Sequence, residues 1–553
     1  MTEGTGSDRD PLRAAAERRP DARALVGADA DLTYRELDRA ADRLARGLTG
    51  AGLGPGDRVA CLLPAGAEVV TSLHGVPRVG AALAPLHPEW TEPELDDYLR
   101  RVRPRAVLCG PGTEERAAGL VRSSGLLVRM GPPGADGGRE GGAGGAGQDA
   151  GTAGASVEDE TGTGAAVPLA GLPQAERVPG VDHGADHTVL ATSGTSGRPR
   201  GVRLTLANHL ACQRASIRRM ELGADDRWLA SLSPAHVGGV ALVLRAALTG
   251  ARLVLEEGFD PDRFLALADE GRVTHASLVP TMLHRLLQAR GDADAPEGLR
   301  GILLGGDAAD PPMLERALEA GWPLYPTYGL TEAASQVATA TPTEARERPD
   351  TVGRPLEGVE VRVRDEEIQV RGPTVAAGYL GAARAPGAVR RGGRVIPRQG
   401  EPEPAGTDVD EDGGRVTAAD GWLHTGDAGS LGDDGRLRVT GRLAHRIVTG
   451  GVTVDPAEVE RVLRGHPRVR DACVVGLPDP EWGERVGAAV QRDATSPESD
   501  PDRPLDAVGL AAWFGDRLAP AKRPRVVRFV GRIPANANGK PDREAVRDLV
   551  GGV

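Results

Sequence analysis

Residues 273–307 read VTHASLVPTMLHRLLQARGDADAPEGLRGILLGGD. THASLVP and RGILLGG are short apolar runs of strand length, and a helical stretch separates them. A strand, a helix and a second strand in that order define two parallel strands with a helix on one face. The pattern continues outward. RVACLLP (58–64), RAVLCG (105–110), HTVLAT (187–192), RWLASLSP (227–234) and ARLVLEE (251–257) each precede or follow a helical stretch. Residues 33–53 carry leucine and alanine at helical spacing and run into Gly-Pro-Gly, a helix and its stop. The alternation predicts an α/β protein whose large N-terminal domain holds parallel sheets covered by helices.

At 553 residues the chain is too long for one core, so at least two domains are expected. From Gly441 the pattern changes to a Gly-rich turn, the helix DPAEVERVLRGHP (455–467), the strand DACVVGLPD (471–479) and further short elements. The division predicted is a large domain over 1–440 and a small, mobile α+β lid domain over 441–553. Residues 131–180 are Gly, Ala, Glu and Asp with almost no large apolar side chain, the composition of a disordered insertion. Residues 383–419 read as a second surface insertion.

The formal charge of −12 argues against nucleic acid or an anionic membrane as partner, since both need a basic face. Four scattered cysteines form no C-x-x-C pair, and no histidine cluster has ligand spacing, so neither a zinc site nor a disulfide framework is indicated. The N-terminus lacks the apolar centre of a signal peptide, and no run of about 18 apolar residues occurs. A reduced, cytoplasmic protein without a membrane span is expected.

Four segments carry chemistry. HTVLATSGTSGRPRGVRLT (187–205) is a strand followed by glycines, hydroxyls and two arginines. Glycines such as Gly194 and Gly197 let the backbone approach an anion closely; Thr192, Ser193, Thr195 and Ser196 add hydroxyl donors, and Arg198 and Arg200 add charge. The loop lacks the ending of a Walker-type motif, and a polar surface loop is the alternative. YPTYGLTEAASQ (325–336) gathers a ring, a glycine turn, a hydroxyl and a carboxylate. Tyr328 can stack on a purine across Gly329, Thr331 can touch a phosphate, and Glu332 can hold Mg²⁺. A strand-to-helix turn capped by Thr331 fits equally. LLGGD (303–307) ends a buried strand in Gly305 and Gly306, where a flat ring can lie. GWLHTGDAGSL (421–431) leaves Asp427 after a glycine, suited to a ribose diol or to an ordinary turn. The chain has only two lysines against 65 arginines, and one of them, Lys540, lies in the turn-rich PANANGKPDR (534–543). A compact ammonium on a flexible stem can follow a reacting anion where a planar guanidinium cannot.

Taken together and in this order, these segments resemble the adenylate-forming superfamily of acyl-CoA ligases, peptide-synthetase adenylation domains and luciferases. The resemblance implies that Thr192–Gly197 with Arg200, where many relatives have lysine, holds the phosphates of ATP. It also implies that Gly305, Gly306 and Tyr328 bound the adenine, Glu332 binds Mg²⁺, and Asp427 with Arg442 holds the ribose. Lys540 then bridges the substrate carboxylate and the AMP region, and the small domain afterwards swings to admit the thiol of CoA. Relatives usually carry an aspartate in the hinge, whereas GRLAHRIVTGG (441–451) has Ala444 and His445. Hinge positions need only absorb a backbone rotation, so domain alternation is expected to survive.

Within the superfamily, residues 231–255, 273–287 and 328–339 resemble o-succinylbenzoate–CoA ligases of menaquinone synthesis. That resemblance implies that His236 gates the acyl pocket and that Gly238, Gly239 and Ser335 line it. It also implies a small-molecule carboxylate substrate and self-association as a homodimer. A second carboxylate on the substrate needs a cation, because burying it unpaired costs several kcal/mol. Arg245 is the candidate; a surface arginine on a helix over the sheet is the alternative. Another aryl- or acyl-CoA ligase, an amino-acid adenylating enzyme, and a nucleotide binder that has lost catalysis are the competing readings.

Overall fold

The computed structural model describes residues 10–28, 30–121, 125–131, 166–193, 199–309, 311–380, 389–391, 394–396, 417–418, 420–493, 505–535 and 540–552. The opening unit forms as read: His275–Leu278 and Gly301–Leu304 are parallel neighbours, joined through the helix Pro280–Arg290. They are the middle of a nine-stranded sheet that continues on one side through Arg227–Leu229, Arg252–Val254 and Arg23–Val26, all parallel. A second, eight-stranded sheet has a parallel centre of Asp186–Ser193, Ala82–Pro85, Arg58–Leu62, Ala106–Cys109 and Leu126–Arg129. Its strands are apolar on both faces, as a doubly covered sheet requires.

Neither sheet is wholly parallel, which corrects the sequence expectation. Leu324–Leu330 turns back directly into Ser335–Thr339, and Asp186–Ser193 into Pro199–Thr205, both antiparallel. Connections that short cannot make the crossover a parallel pair needs. A third sheet, Glu360–Arg364, Glu367–Arg371, Leu423–Leu431 and Leu437–Arg442, is antiparallel throughout.

The helix Tyr34–Gly50 begins at a capping box, Thr33 with Glu36, a device that contributes about 1 kcal/mol. It packs on Ala67–Arg78, which is buried along nearly its whole length. One apolar cluster joins residues of both large sheets, among them Leu25, Val59, Leu83, Leu190, Leu253 and Leu303.

The apolar clusters of the C-terminal part contain only residues from Ile447 onward, and those of the remainder end at Leu437 among fully buried side chains. Residues 447–550 build an antiparallel sheet of Val452–Val454, Ile447–Thr449, Gly483–Arg492 and Val469–Asp479, with Val526–Val530 added parallel to Gly483–Arg492.

The expected insertion at 131–180 is shorter than composition suggested. Val167–Pro168 pairs with Leu126–Arg129, Leu172 is buried, and the Ala175 amide donates to the Arg46 carbonyl. A few apolar residues, Val167, Leu169 and Leu172, anchor a segment that is otherwise polar. Residues 132–165 lie outside the described residues. In the second insertion, Val389–Arg391 and Arg394–Ile396 pair as a two-stranded ribbon, and most of the rest lies outside the described residues.

Candidate active site

The polar segments converge where strand ends of the large domain meet the first residues of the small one. Thr192 and Arg200 face each other across the hairpin that carries the phosphate-type loop, and a two-pronged Arg203–Asp186 ion pair ties its base. Gly194, Thr195, Ser196, Gly197 and Arg198 lie outside the described residues, as does any account of the Ser193 side chain.

Glu332 sits on a single 3-10 turn, Thr331–Ala333, whose cap is Leu330 rather than the Thr331 hydroxyl. Its Oε1 accepts a 3.0 Å hydrogen bond from the Tyr379 hydroxyl, and no hydrogen bond to Oε2 occurs among the described residues. A carboxylate oxygen without a hydrogen bond among the described residues fits magnesium, which usually takes one or two carboxylates from protein and the rest of its shell from phosphates and water. The turn is followed by Ala334 at φ 56° and Ser335 at φ 113°, a backbone region that costs a non-glycine residue about 1–3 kcal/mol. Gly329 permits the return of the chain: a Cβ there would fall 1.6 Å from the Ser335 carbonyl oxygen.

The ribose-type pair forms by register. Asp427 lies directly opposite Arg442, and the two form an ion pair with Arg442 Nε 2.6 Å from Asp427 Oδ1. Tyr328, 99 residues away in sequence, donates its hydroxyl to Asp427 Oδ2 at 2.6 Å. Burial raises the Asp427 pKa, opposed by the charges of Arg442 and Lys540 and by the Tyr328 hydrogen bond. Gly305 and Gly306 end the strand Gly301–Leu304; a Cβ on Gly305 would lie 2.6 Å from Thr327, and Gly306 has φ +85°.

On the acyl side, His236 is the N-cap residue of the helix Val237–Thr249, whose first turn holds Gly238 and Gly239. A Cβ on Gly239 would lie 2.4 Å from the Ser233 carbonyl oxygen, so the loop before the helix presses onto it. The His236 ring lies 5.3 Å from that of His87. Burial, helped by His87 and Lys540, drives the His236 pKa down to about 4, so the imidazole is neutral at physiological pH.

Arg245 is not a surface residue. It is 1% exposed, with Nε and Nη2 donating to Gln213 Oε1 at 3.1 and 2.9 Å and Nη2 also to Gln336 Oε1 at 3.0 Å. Its guanidinium lies 5.0 Å from the Trp228 ring centre; among the described residues its Nη1 has no hydrogen-bond partner and no carboxylate pairs with it. Burial lowers its pKa to about 10, which leaves it cationic. The side chain is thus joined to Ser335 through the adjacent Gln336.

Lys540 is exposed, and its charge acts on His236 and on Asp427 alike. The residue comes from the far end of the chain, well beyond the 3-10 turn Leu443–His445. Two residues of this region escaped the sequence reading. His87 follows the parallel strand Ala82–Pro85, where ligand sites of such sheets collect, and that position was a usable signal. Tyr379 had none.

These features define an adenylate-forming fold, and sequence comparison agrees: the AMP-binding enzyme family matches residues 12–380 and its C-terminal domain residues 458–540. The chain belongs to the AMP-binding enzyme family. It is 30% identical over 541 residues, 96% of each chain, to the 2-succinylbenzoate–CoA ligase of Bacillus cereus. The o-succinylbenzoate CoA synthetase of Bacillus subtilis, solved with its acyl-adenylate intermediate, superposes with a TM-score of 0.78 at 27% identity over 99% of both chains. The same enzyme solved with ATP and magnesium gives 0.77 over 98% of this chain and 99% of that one. Among the described residues, no helix is long and apolar enough to cross a membrane.

Proposed function

We propose that the chain is an ATP-dependent 2-succinylbenzoate–CoA ligase of menaquinone biosynthesis. The observation that supports this most is the likeness along nearly the whole chain to 2-succinylbenzoate–CoA ligases, and the charge of Lys540, felt at both His236 and Asp427, agrees with it. A carboxylate oxygen attacks the α-phosphorus of ATP and pyrophosphate leaves, so two anions must meet. Lys540 and Arg200 offset that repulsion, Asp427 and Arg442 hold the ribose, and Gly305, Gly306 and Tyr328 bound the adenine. Glu332 would hold magnesium, which would supply neutralisation of the phosphate charge. In the second half-reaction the small domain rotates about 443–445, and the CoA sulfur bonds to the acyl carbon as the bond to AMP breaks. Neutral His236 gates the acyl pocket lined by Gly238, Gly239 and Ser335.

Arg245 favours a substrate with a second carboxylate. A buried guanidinium lacking an anionic partner is costly, and a substrate anion that reaches it offsets that cost. CoA-dependent AMP release tests the proposal across o-succinylbenzoate, benzoate, a cinnamate, a medium-chain fatty acid and an amino acid. A strong preference for o-succinylbenzoate is expected. Preference for another acid keeps the two-step mechanism and removes the pathway; turnover with none, alongside ATP binding, removes the enzyme. The same reading takes the protein to be cytoplasmic and homodimeric, and a monomer in sedimentation at micromolar concentration would refute the second part.

A further inference from the structure

The segment 373–380 is tied to both halves of the phosphate site before its side chains are considered. Its short strand Gly378–Tyr379 adds to the edge of Pro199–Thr205, with Tyr379 opposite Val202. The Ala377 amide donates to the Arg203 carbonyl at 2.9 Å and the Leu380 amide to the Gly201 carbonyl at 2.7 Å. On its other flank the Ala376 amide donates to the Glu332 carbonyl at 2.8 Å. Asn208, from the helix that follows the hairpin, donates to the carbonyls of Pro373 and Val375 at 2.8 and 2.9 Å.

This backbone framework presents one side chain between the two charged groups. The Tyr379 hydroxyl donates to Glu332 Oε1 at 3.0 Å, and the Arg200 guanidinium carbon lies 5.5 Å from the centre of the Tyr379 ring. We propose that Tyr379 is the positioning residue of the metal–phosphate site. Its hydroxyl fixes Glu332 with one oxygen turned out toward the cation, and its ring sets the Arg200 guanidinium beside the phosphates. A metal-binding carboxylate that stands on one 3-10 turn has little else to orient it, and hydrogen bonds behind metal ligands typically govern affinity by ten- to a hundredfold.

The inference rests on the reading of Glu332 as the magnesium ligand, so the test separates the two. ATP affinity is measured by calorimetry on the full chain, first in EDTA and then across a magnesium titration, for wild type, Tyr379→Phe, Tyr379→Leu and Glu332→Gln. Tyr379→Phe should bind metal-free ATP as wild type does, which also reports a folded protein, while the magnesium midpoint rises about tenfold. Tyr379→Leu should weaken metal-free ATP as well, because Arg200 loses its ring. Glu332→Gln should abolish the magnesium-dependent tightening. If Glu332→Gln still responds to magnesium, the ligand reading fails. If it does not respond but Tyr379→Phe titrates like wild type, or loses affinity equally with and without metal, the role of Tyr379 is overturned.

Discussion

The nucleotide half and the acyl half of the site handle charge in opposite ways. On the nucleotide side every charged group described has a partner on the protein: Asp427 with Arg442 and Tyr328, Glu332 with Tyr379, Arg200 over the Tyr379 ring. On the side proposed for the acyl group the imidazole of His236 is held neutral by burial, and Arg245, further along the helix that His236 caps, is buried with amide oxygens for company and no carboxylate partner among the described residues. The first half has its charges already partnered within the protein. The second holds an unmet charge that a ligand can satisfy. Preorganised dipoles and charges act most strongly where water is excluded, so the acyl half should govern which acid is used and the nucleotide half how tightly ATP is held.

In the proposed function Lys540 bridges both halves, so its removal should have the largest effect. Lys540→Ala is expected to slow ATP–pyrophosphate exchange about a hundred- to thousandfold, roughly 2.7–4 kcal/mol, with ATP affinity nearly unchanged. Undiminished exchange would break the assignment. Next comes Arg245→Met. Its kcat/KM for o-succinylbenzoate should fall by about 10- to 150-fold, the 1.5–3 kcal/mol of a hydrogen bond to a charged group, while benzoate turnover changes only slightly. Equal losses on both acids would make Arg245 part of the scaffold and erase the contrast between the halves.

The smallest change expected is that of Tyr328→Phe. Losing one hydrogen bond to Asp427 should raise KM for ATP about fivefold, near 1 kcal/mol. Burial already holds the Asp427 pKa above its usual 3.8, and the Tyr328 bond favours the charged carboxylate. Without it the pKa rises further, so the acidic limb of kcat/KM for ATP should move to higher pH. An unmoved limb would show that Asp427 titration does not control nucleotide binding.

Much of the fold was legible because each strand–helix alternation is local. RVACLLP, RAVLCG and RGILLGG announced strands through apolar runs bounded by glycine or proline, and all three formed. The antiparallel edges were missed because periodicity marks a strand but not the direction of its neighbour. Residues 166–180 were misread because three apolar anchors in a polar stretch leave little compositional trace. For the site, Asp427 was named from its motif and Arg442 from the family resemblance, and strand register brought them face to face.

The sequence by itself determined the types of residue at each motif, the alternation behind two large sheets, and the isolation of Lys540 in a chain almost without lysine. Tertiary structure alone decided that Arg245 is buried with no carboxylate partner among the described residues, that Tyr328 holds Asp427, and that Tyr379 stands between Glu332 and Arg200. The physical reason is separation along the chain. Arg245 meets Gln336 across 91 residues, Tyr328 meets Asp427 across 99, and Tyr379 meets Glu332 across 47. Local patterns fix an element and the faces it presents. Which charge finds a partner depends on how those faces pack, and no window of sequence contains both members of the pair.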